Sequence, residues 1–437
     1  MGSVKSIQRV YYLALALFWL GTALPLALLV LLIQSRGLDL FQVGLLMGAY
    51  SLTVVLLEVP TGGLADAVGR KRVALLAYSL GLVSGIVFLF SFSFPAFLLG
   101  WILAGVARAL SSGALDAWFV DALQEADPQI ELQPALAKAG TVTLLALGAG
   151  TLLGGLIPRL FSSLPAEGTA VLTPLSMTVV FAGLVEIILL IVVALLVKEP
   201  QRPAASGGWR QGFSRVPGLA TEAFGLSRRN PTILLLLGTT AAAGLALATV
   251  ESFWQPRFAQ LLGGAADNSL TFGAIMAGSF LFGVAGNLLS MPLSRLLKER
   301  YALVAALFQG AQGLFLLLLA LQAGPLPAVL LFWLVYLNLG GVNSPQATLI
   351  NQEIPAERRS TMLSVQSLAG YAGSILGSVL LGYLANRVSI SAAWIVAGSI
   401  LLVSLLLYLQ IDARQGRQDQ KNKTDPNEPE TNLLESR

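Results

Sequence analysis

Gly63-Leu64-Ala65-Asp66-Ala67-Val68-Gly69-Arg70-Lys71-Arg72 separates two apolar runs, residues 41–62 and 73–92. Each run is long enough to cross a bilayer and too apolar for an ordinary surface helix. The ten residues between them carry one acid, three bases and two glycines. They read as a tight polar loop joining two membrane spans, and this reading sets the frame for the rest of the chain.

The 437 residues are 55% hydrophobic and 11% charged, with a mean hydropathy of +0.75. Soluble domains carry about 25% charged residues, so lipid is the solvent for much of this surface. Cys and His are both absent. That excludes disulfides, thiol chemistry, triads built on His, and zinc or haem sites with Cys or His ligands. No metal and no cofactor are expected, and proton chemistry is left to Asp, Glu, Lys, Arg and Tyr. The net charge of +4 comes from bases grouped in loops, which reflects membrane topology rather than nucleic-acid binding. No P-loop is present, which argues against direct ATP drive. The lack of His, Cys and clustered acids argues against an intramembrane enzyme.

Twelve windows meet the requirement of about 20 mostly apolar residues: 10–33, 41–63, 73–92, 95–121, 138–158, 174–197, 231–257, 270–293, 302–322, 327–351, 362–386 and 389–411. The first is too long for a signal-peptide core and reads as an uncleaved helix. With the N-terminus in the cytoplasm, 22 bases fall in cytoplasmic segments and four on the other side: Arg36, Arg159, Arg257 and Arg387. Only Arg108 remains inside a span. This asymmetry predicts a multi-pass protein of the cell membrane with both termini cytoplasmic.

The Gly-, Pro-, Ser- and Arg-rich segment 198–230 divides the chain. The expected organisation is a six-helix bundle over 1–197, a cytoplasmic linker over 198–230, a second six-helix bundle over 231–411 and a disordered tail over 412–437. Phe213, Val216, Leu219, Ala220 and Phe224 can line one face of a short linker helix. Pro25 and Pro345 are expected to kink their spans. The halves also resemble each other. Leu293-Ser294-Arg295-Leu296-Leu297-Lys298-Glu299-Arg300 can be laid on residues 64–71, without the acid and the glycine. Asp116-Ala117 and Asp121 can likewise be laid on Gln346-Ala347 and Asn351.

The order Gly62, Asp66, Gly69, Arg70, Lys71 resembles Gly-x-x-x-Asp-x-x-Gly-Arg-Lys/Arg, the loop between spans two and three of the major facilitator superfamily. Glu58-Val59-Pro60-Thr61-Gly62 is similar to its common lead-in. The resemblance covers about residues 8–411. It implies an all-α membrane protein of twelve transmembrane helices in two pseudo-symmetric six-helix bundles, transporting by alternating access. It also implies that Asp66 faces the start of span eleven and that Arg70 pairs with an acid at the end of span four, where Asp121 stands. That contact would hold the cytoplasmic side closed. Two antiporter signatures are present in altered form. Arg108 is followed by Ser111, Ser112 and Gly113 where exporters carry Arg-x-x-Gln-Gly. Gly150-Thr151-Leu152-Leu153-Gly154-Gly155 has Thr where antiporters carry Pro.

The charged residues supply the remaining candidates. Asp66, just before span three, can accept from exposed helical N–H groups. Arg108 lies near the middle of span four, where a bare cation is costly and needs a partner. On a continuous helix Ser112 and Asp116 share its stripe, and Glu58 of span two is the alternative acid. One of the two acids holding a proton would make a coupling site; a static ion pair is the plainer reading. Asp116 and Asp121 lie about 140° apart on a helix and form no dyad. Glu186, among Ile, Leu and Val of span six, is either protonated, turned inward or at a protein contact, and joins the proton-coupling candidates. Glu251 and Trp254 of span seven suit an outer gate or a cationic substrate, or an interfacial aromatic belt. Asn338 and Gln346 of span ten can line the cavity or bridge helices.

These readings predict a monomeric secondary transporter of a small molecule, with protons and the lipid bilayer as its other partners. Proton-coupled efflux of drug-like or amphipathic compounds leads. The alternatives are proton symport of a sugar, organic acid or other metabolite, and a lipid flippase on the same fold.

Overall fold

The computed structural model describes residues 3–165, 170–199, 230–264, 267–353 and 359–424, and every regular element among them is helical. Twelve helices are long and apolar enough to cross a membrane. Spans one to six are Val4–Leu26, Leu40–Glu58, Arg70–Phe90, Phe94–Ala126, Leu132–Leu160 and Met177–Leu196. Spans seven to twelve are Pro231–Leu262, Ser269–Leu296, Tyr301–Ala320, Pro325–Glu353, Met362–Arg387 and Ile390–Arg417. Their outward surfaces are apolar: Leu195 of span six is 71% exposed and Leu281 of span eight 72%. An even number of crossings brings both ends of the chain to one side, the terminal face; the opposite side is the far face.

Local chemistry sets the boundaries. The Ser3 side chain accepts from the N–H of Ser6 at the start of span one, and Asn230 accepts from Thr232 with Pro231 in the first turn of span seven. Pro25 ends the first helix at Leu26, and a short helix, Leu29–Ser35, completes the crossing. Pro345, by contrast, lies inside an unbroken helix.

Three sequence expectations change here. The polar stretch 63–72 is not a loop, because span two runs as helix to Val68 and span three begins at Arg70. Gly69 alone makes the turn, at φ 104°, a value that glycine adopts without strain. Span four is not continuous, because it stops at Ser111 and restarts at Ala114 with Gly113 at φ 75°. The tail does not start at residue 412, because span twelve continues as helix to Thr424. No proline follows until Pro426, and Ala, Gln, Arg and Lys favour the helix. The linker core, including the suggested helix through Phe213 and Phe224, lies outside the described residues.

The packing repeats. In the first half span one contacts five and six, span four contacts two and three, and span three contacts six. In the second half span seven contacts eleven and twelve, span ten contacts eight and nine, and span nine contacts twelve. Each pairing recurs six spans later, which is the internal symmetry expected of two related bundles.

The halves meet mainly through two span pairs, two with eleven and five with eight. Both contacts are tightest toward the far face. A Cβ on Gly155 would lie 2.7 Å from the Ser269 carbonyl oxygen, and one on Gly48 would lie 2.8 Å from a Val379 methyl. Polar ties reinforce the closure: Arg159 donates to the Asp267 carbonyl at 3.2 Å, and Asn386 to Asp39 at 3.3 Å. Gln255 of span seven donates to the Leu26 carbonyl and accepts from the Val30 N–H, both at 2.9 Å. These groups flank the break in span one, so a residue of the second half satisfies backbone groups near the interruption at Pro25.

Candidate functional site

The turn at Gly69 organises one end of the first half. The Arg70 guanidinium pairs with Asp121 at the end of span four. Glu199, just past span six, accepts from the backbone N–H of Arg70 at 2.7 Å and of Lys71 at 3.0 Å. A carboxylate there satisfies two orphan donors and favours the positive end of the helix dipole. Sequence reasoning assigned that contact to Asp66. Because span two extends to Val68, the backbones of Gly62 and Asp66 belong to the preceding helix; the Asp66 side chain lies outside what the structure describes, as do residues 354–358 before span eleven. The Lys71 ammonium donates to the Ala194 carbonyl at 2.7 Å. Its repeat counterpart, Arg300, pairs with Asp412 of span twelve. That exposed contact raises the pKa of the guanidinium, first through the hydrogen bond and then through the carboxylate charge.

The charges near the seam arrange differently from the sequence expectation. Arg108 and Asp116 do not share a stripe, because Gly113 breaks the helix between them. Asp116 is exposed and accepts a 2.7 Å hydrogen bond from Tyr11 of span one instead. Arg108 is level with Glu58, since Thr61 donates to the Ala109 carbonyl at 3.0 Å across the parallel spans two and four. Glu58 accepts at 3.1 Å from Ser367 of span eleven, a contact between halves. The Arg108 guanidinium lies within electrostatic reach of Tyr50 in its own half and Tyr371 in the other, so it points into the seam. Among the described residues its guanidinium has no ion-pair or hydrogen-bond partner.

Glu251 is solvent-accessible although protein atoms surround it, so its carboxyl faces a cavity inside the bundle. Tyr50 of span two and Tyr336 of span ten feel its charge. Span seven runs beside span eleven, with Gly377 packed on Leu245. By helical rise Glu251 is therefore deeper than the Glu58 level by roughly 20 Å. Tyr50 stands between the two charged levels, with its ring edge-on to Trp101 at 5.5 Å.

Other candidates fall outside this cavity. Trp254 is 1% exposed and packed among Phe258, Phe272 and Phe332, so it belongs to the far-face core rather than to a substrate surface. Asn338 donates to the Leu334 carbonyl of its own helix at 2.7 Å, and Gln346 donates to Thr240 of span seven at 2.8 Å. Both are buried structural bonds, as is common for amides in membrane helices. Glu186 is turned inward against Gly81 and Tyr78 of span three, while Leu184, Ile187 and Ile188 beside it face outward. Among the described residues no three His, Cys, Asp or Glu side chains cluster to hold a metal ion.

Sequence reasoning missed Tyr50, Tyr371, Ser367, Gln255 and Glu199. The tyrosines and Ser367 matter because of what the opposite half presents to them, which no local pattern encodes. Glu199 had a faint signal, as an acid directly after a span on the side rich in bases.

Known proteins share this fold. The family model for the major facilitator superfamily matches residues 11–377 and 269–435. A Bacillus subtilis (strain 168) protein described as an uncharacterized MFS-type transporter, YxaM, is 22% identical over 404 residues, 92% of this chain and 95% of that one. The crystal structure of the nucleoside transporter NupG aligns with a TM-score of 0.71 at 15% identity, over 94% of this chain and 99% of that one. The human organic anion transporter MFSD10 aligns at 0.63 and 18% identity, over 93% and 100%. A bacterial homologue of the human lysosomal transporter Spinster, in an inward-facing and unoccupied conformation, aligns at 0.66 and 15% identity, over 94% and 96%. The fold, the repeated packing and the Gly69–Arg70–Asp121 turn agree with this match: the chain belongs to the major facilitator superfamily and is a multi-pass membrane transporter, not an enzyme.

Proposed function

We propose that this transporter couples proton movement to the export of an amphipathic small molecule across the cell membrane, as a monomer with both termini in the cytoplasm. The 22-to-4 distribution of bases supports the orientation. In that orientation the far face is external, and the conformation described here is closed to the outside. Residues 1–197 and 231–411 then rock about the seam, and the Arg70–Asp121 contact, with Gly62, Asp66, Gly69 and Lys71 around it, serves as a latch on the cytoplasmic side.

The observation that carries the reading is Glu251, an accessible carboxyl surrounded by protein, with Tyr50 of the opposite half in reach. An intramembrane acid that faces a cavity between moving halves exchanges its proton with whichever side has access. Glu58, bonded across the seam to Ser367, is the second such acid. Among the described residues Asp116 and Glu186 meet partners of the first half, Tyr11 and Gly81, and serve less well. The driving force is ample, since one charge moved through 100 mV is worth about 2.3 kcal/mol. Symport of a polar metabolite would use the same groups with the opposite relation of fluxes.

Proteoliposomes with an imposed pH gradient, screened against candidate compounds, test this. Substrate movement opposite to protons, lost in Glu251→Gln while substrate exchange without a gradient persists, is the expected result. Movement in the same direction selects symport. Flux that ignores the gradient overturns proton coupling.

A further inference from the structure

Spans seven and twelve run side by side, and on their outer surface they do not fully meet. A groove of about 470 Å³ lies between them, lined by Gly238 and Ala242 of span seven and by Val396, Ile400, Val403 and Leu407 of span twelve. Gly238 and Ala242 leave the gap because they carry little or no side chain. The groove opens toward the bilayer, since Val396 and Val403 are 37% and 65% exposed. Leu407 narrows it at the terminal-face end, where a Cβ on Gly238 would come within 3.1 Å of a Leu407 methyl. From Ile395 to Leu407 the groove is roughly 18 Å long by helical rise, close to one leaflet of a hydrocarbon core about 30 Å thick. Ser404, which also lines it, engages its hydroxyl with Gln309 and the Leu401 carbonyl. The contact offered is therefore mainly apolar.

The second observation is the charge beyond the groove. Span twelve stays helical from Ile390 to Thr424. Its outward stripe passes through Val396, Val403, Leu406 and Gln410 and continues at the same spacing to Arg414 and Arg417. Leu406 is 54% exposed, and Gln410, Arg414 and Arg417 are exposed as well. The acid nearest to them in sequence, Asp412, lies on the opposite side of the helix and pairs with Arg300 at the start of span nine. Arg414 is seven residues beyond Leu407, roughly 10 Å along the axis. Side chains lean toward the N-terminus of their helix, which on span twelve is toward the membrane. A hydrocarbon chain in the groove and an anionic head at these guanidinium groups satisfy both features. A second copy of this chain fits poorly, because two-fold pairing through this face brings Arg414 and Arg417 of one copy toward those of the other.

We propose that the groove between spans seven and twelve binds an anionic phospholipid of the leaflet at the terminal face, with an acyl chain in the groove and the head on Arg414 and Arg417. The site lies on the outer surface of the second half, away from the seam. It depends neither on the direction of transport nor on proton coupling.

The test uses phosphatidylglycerol with a diazirine in one acyl chain, photolysed with the full-length protein in a neutral detergent and mapped by peptide mass spectrometry. Label is expected on residues 238–242 and 395–407, more densely than on the outward-facing residues 281–291 of span eight. Unlabelled phosphatidylglycerol should displace it at lower concentration than phosphatidylcholine with the same chains. Arg414→Gln and Arg417→Gln should each weaken that competition about fivefold, and Lys at both positions should preserve most of it. Val403→Trp, a change at an exposed position, fills the groove and should remove the label there. Equal competition by the two lipids overturns the proposal, as does unchanged competition in the doubly substituted Arg414→Gln, Arg417→Gln protein. Label no denser than on span eight, or unchanged in Val403→Trp, overturns the groove as the place of the chain. The native chain has no cysteine, so Val403→Cys gives a clean check on the other occupant: efficient disulfide pairing of two copies in liposomes assigns the face to a second copy and overturns the lipid.

Discussion

Gly44 of span two packs directly on the carbonyl oxygen of Ser378 in span eleven, with no room for a Cβ between them. The contact lies in the far-face seal, at the π-helical turn Gly377–Leu381 of span eleven. In the alternating-access cycle proposed above it belongs to one conformational state only, because the seal must separate when the far side opens.

A side chain at residue 44 should therefore bias the equilibrium rather than unfold the protein. Gly44→Val overpacks the closed far face at a cost of about 1–3 kcal/mol. Each 1.4 kcal/mol is about tenfold in population. The native chain has no cysteine, so spin labels at Phe41→Cys and Tyr383→Cys report the seal alone; these rings now stand 5.6 Å apart. We expect the distance distribution to gain a longer population in Gly44→Val. An unchanged distribution would sink the idea that this contact holds the seal.

Gln255 should matter as much to stability as any apolar core residue. It is 3% exposed and bonds the Leu26 carbonyl and the Val30 N–H beside the break in span one. Gln255→Leu keeps the volume and removes both bonds. Unsatisfied buried backbone groups cost about 1–3 kcal/mol each. The melting temperature in detergent should fall clearly below that of Gln322→Leu, a change at a half-buried amide whose bond to the Leu318 carbonyl is exposed. Equal melting of the two variants would show that water replaces Gln255.

Much of this architecture was legible in the chain, and the reasons for the remainder are physical. Twelve apolar windows were enough to find twelve helices, because bilayer thickness fixes their length. The turn at Gly69 and its acid Asp121 were visible through a motif. The pairing of Arg108 with Asp116 failed on one residue, since Gly113 adopts a left-handed conformation and rotates the remainder of span four. Trp254 reads as a surface aromatic next to an acid until Phe258, Phe272 and Phe332 close over it. The importance of Gln255, Tyr50 and Tyr371 lies in cross-half contacts more than a hundred residues apart in sequence.

Glu199 gives a test of the turn itself. It accepts from two backbone donors at the start of span three, whereas the Arg70–Asp121 pair is partly solvated, with side chains 18% and 28% exposed. Glu199→Ala should cost about 1–2 kcal/mol, as for loss of a helix cap, and Asp121→Asn about 1 kcal/mol or less. Thermal melts of the two single variants check the order. A larger loss in Asp121→Asn would mean that the ion pair, not the cap, holds the turn.

The second half makes the corresponding turn without a glycine, and it is strained for that reason. Lys298 and Glu299 take φ values of 54° and 63°, where side-chain-bearing residues are disfavoured by about 1–2 kcal/mol each. Glu299 is engaged by the Tyr301 hydroxyl, whereas Lys298 is exposed and free to be changed. Lys298→Gly should therefore stabilise the protein, by roughly 1 kcal/mol at most, because glycine gives back part of the gain through the entropy of the unfolded chain. Lys298→Ala removes the same side chain without relieving the backbone and should produce no such gain. Scanning fluorimetry of the pair separates the two effects: a rise in melting temperature confined to the glycine variant locates the strain in the backbone at residue 298, and a rise common to both would assign it to the lysine charge.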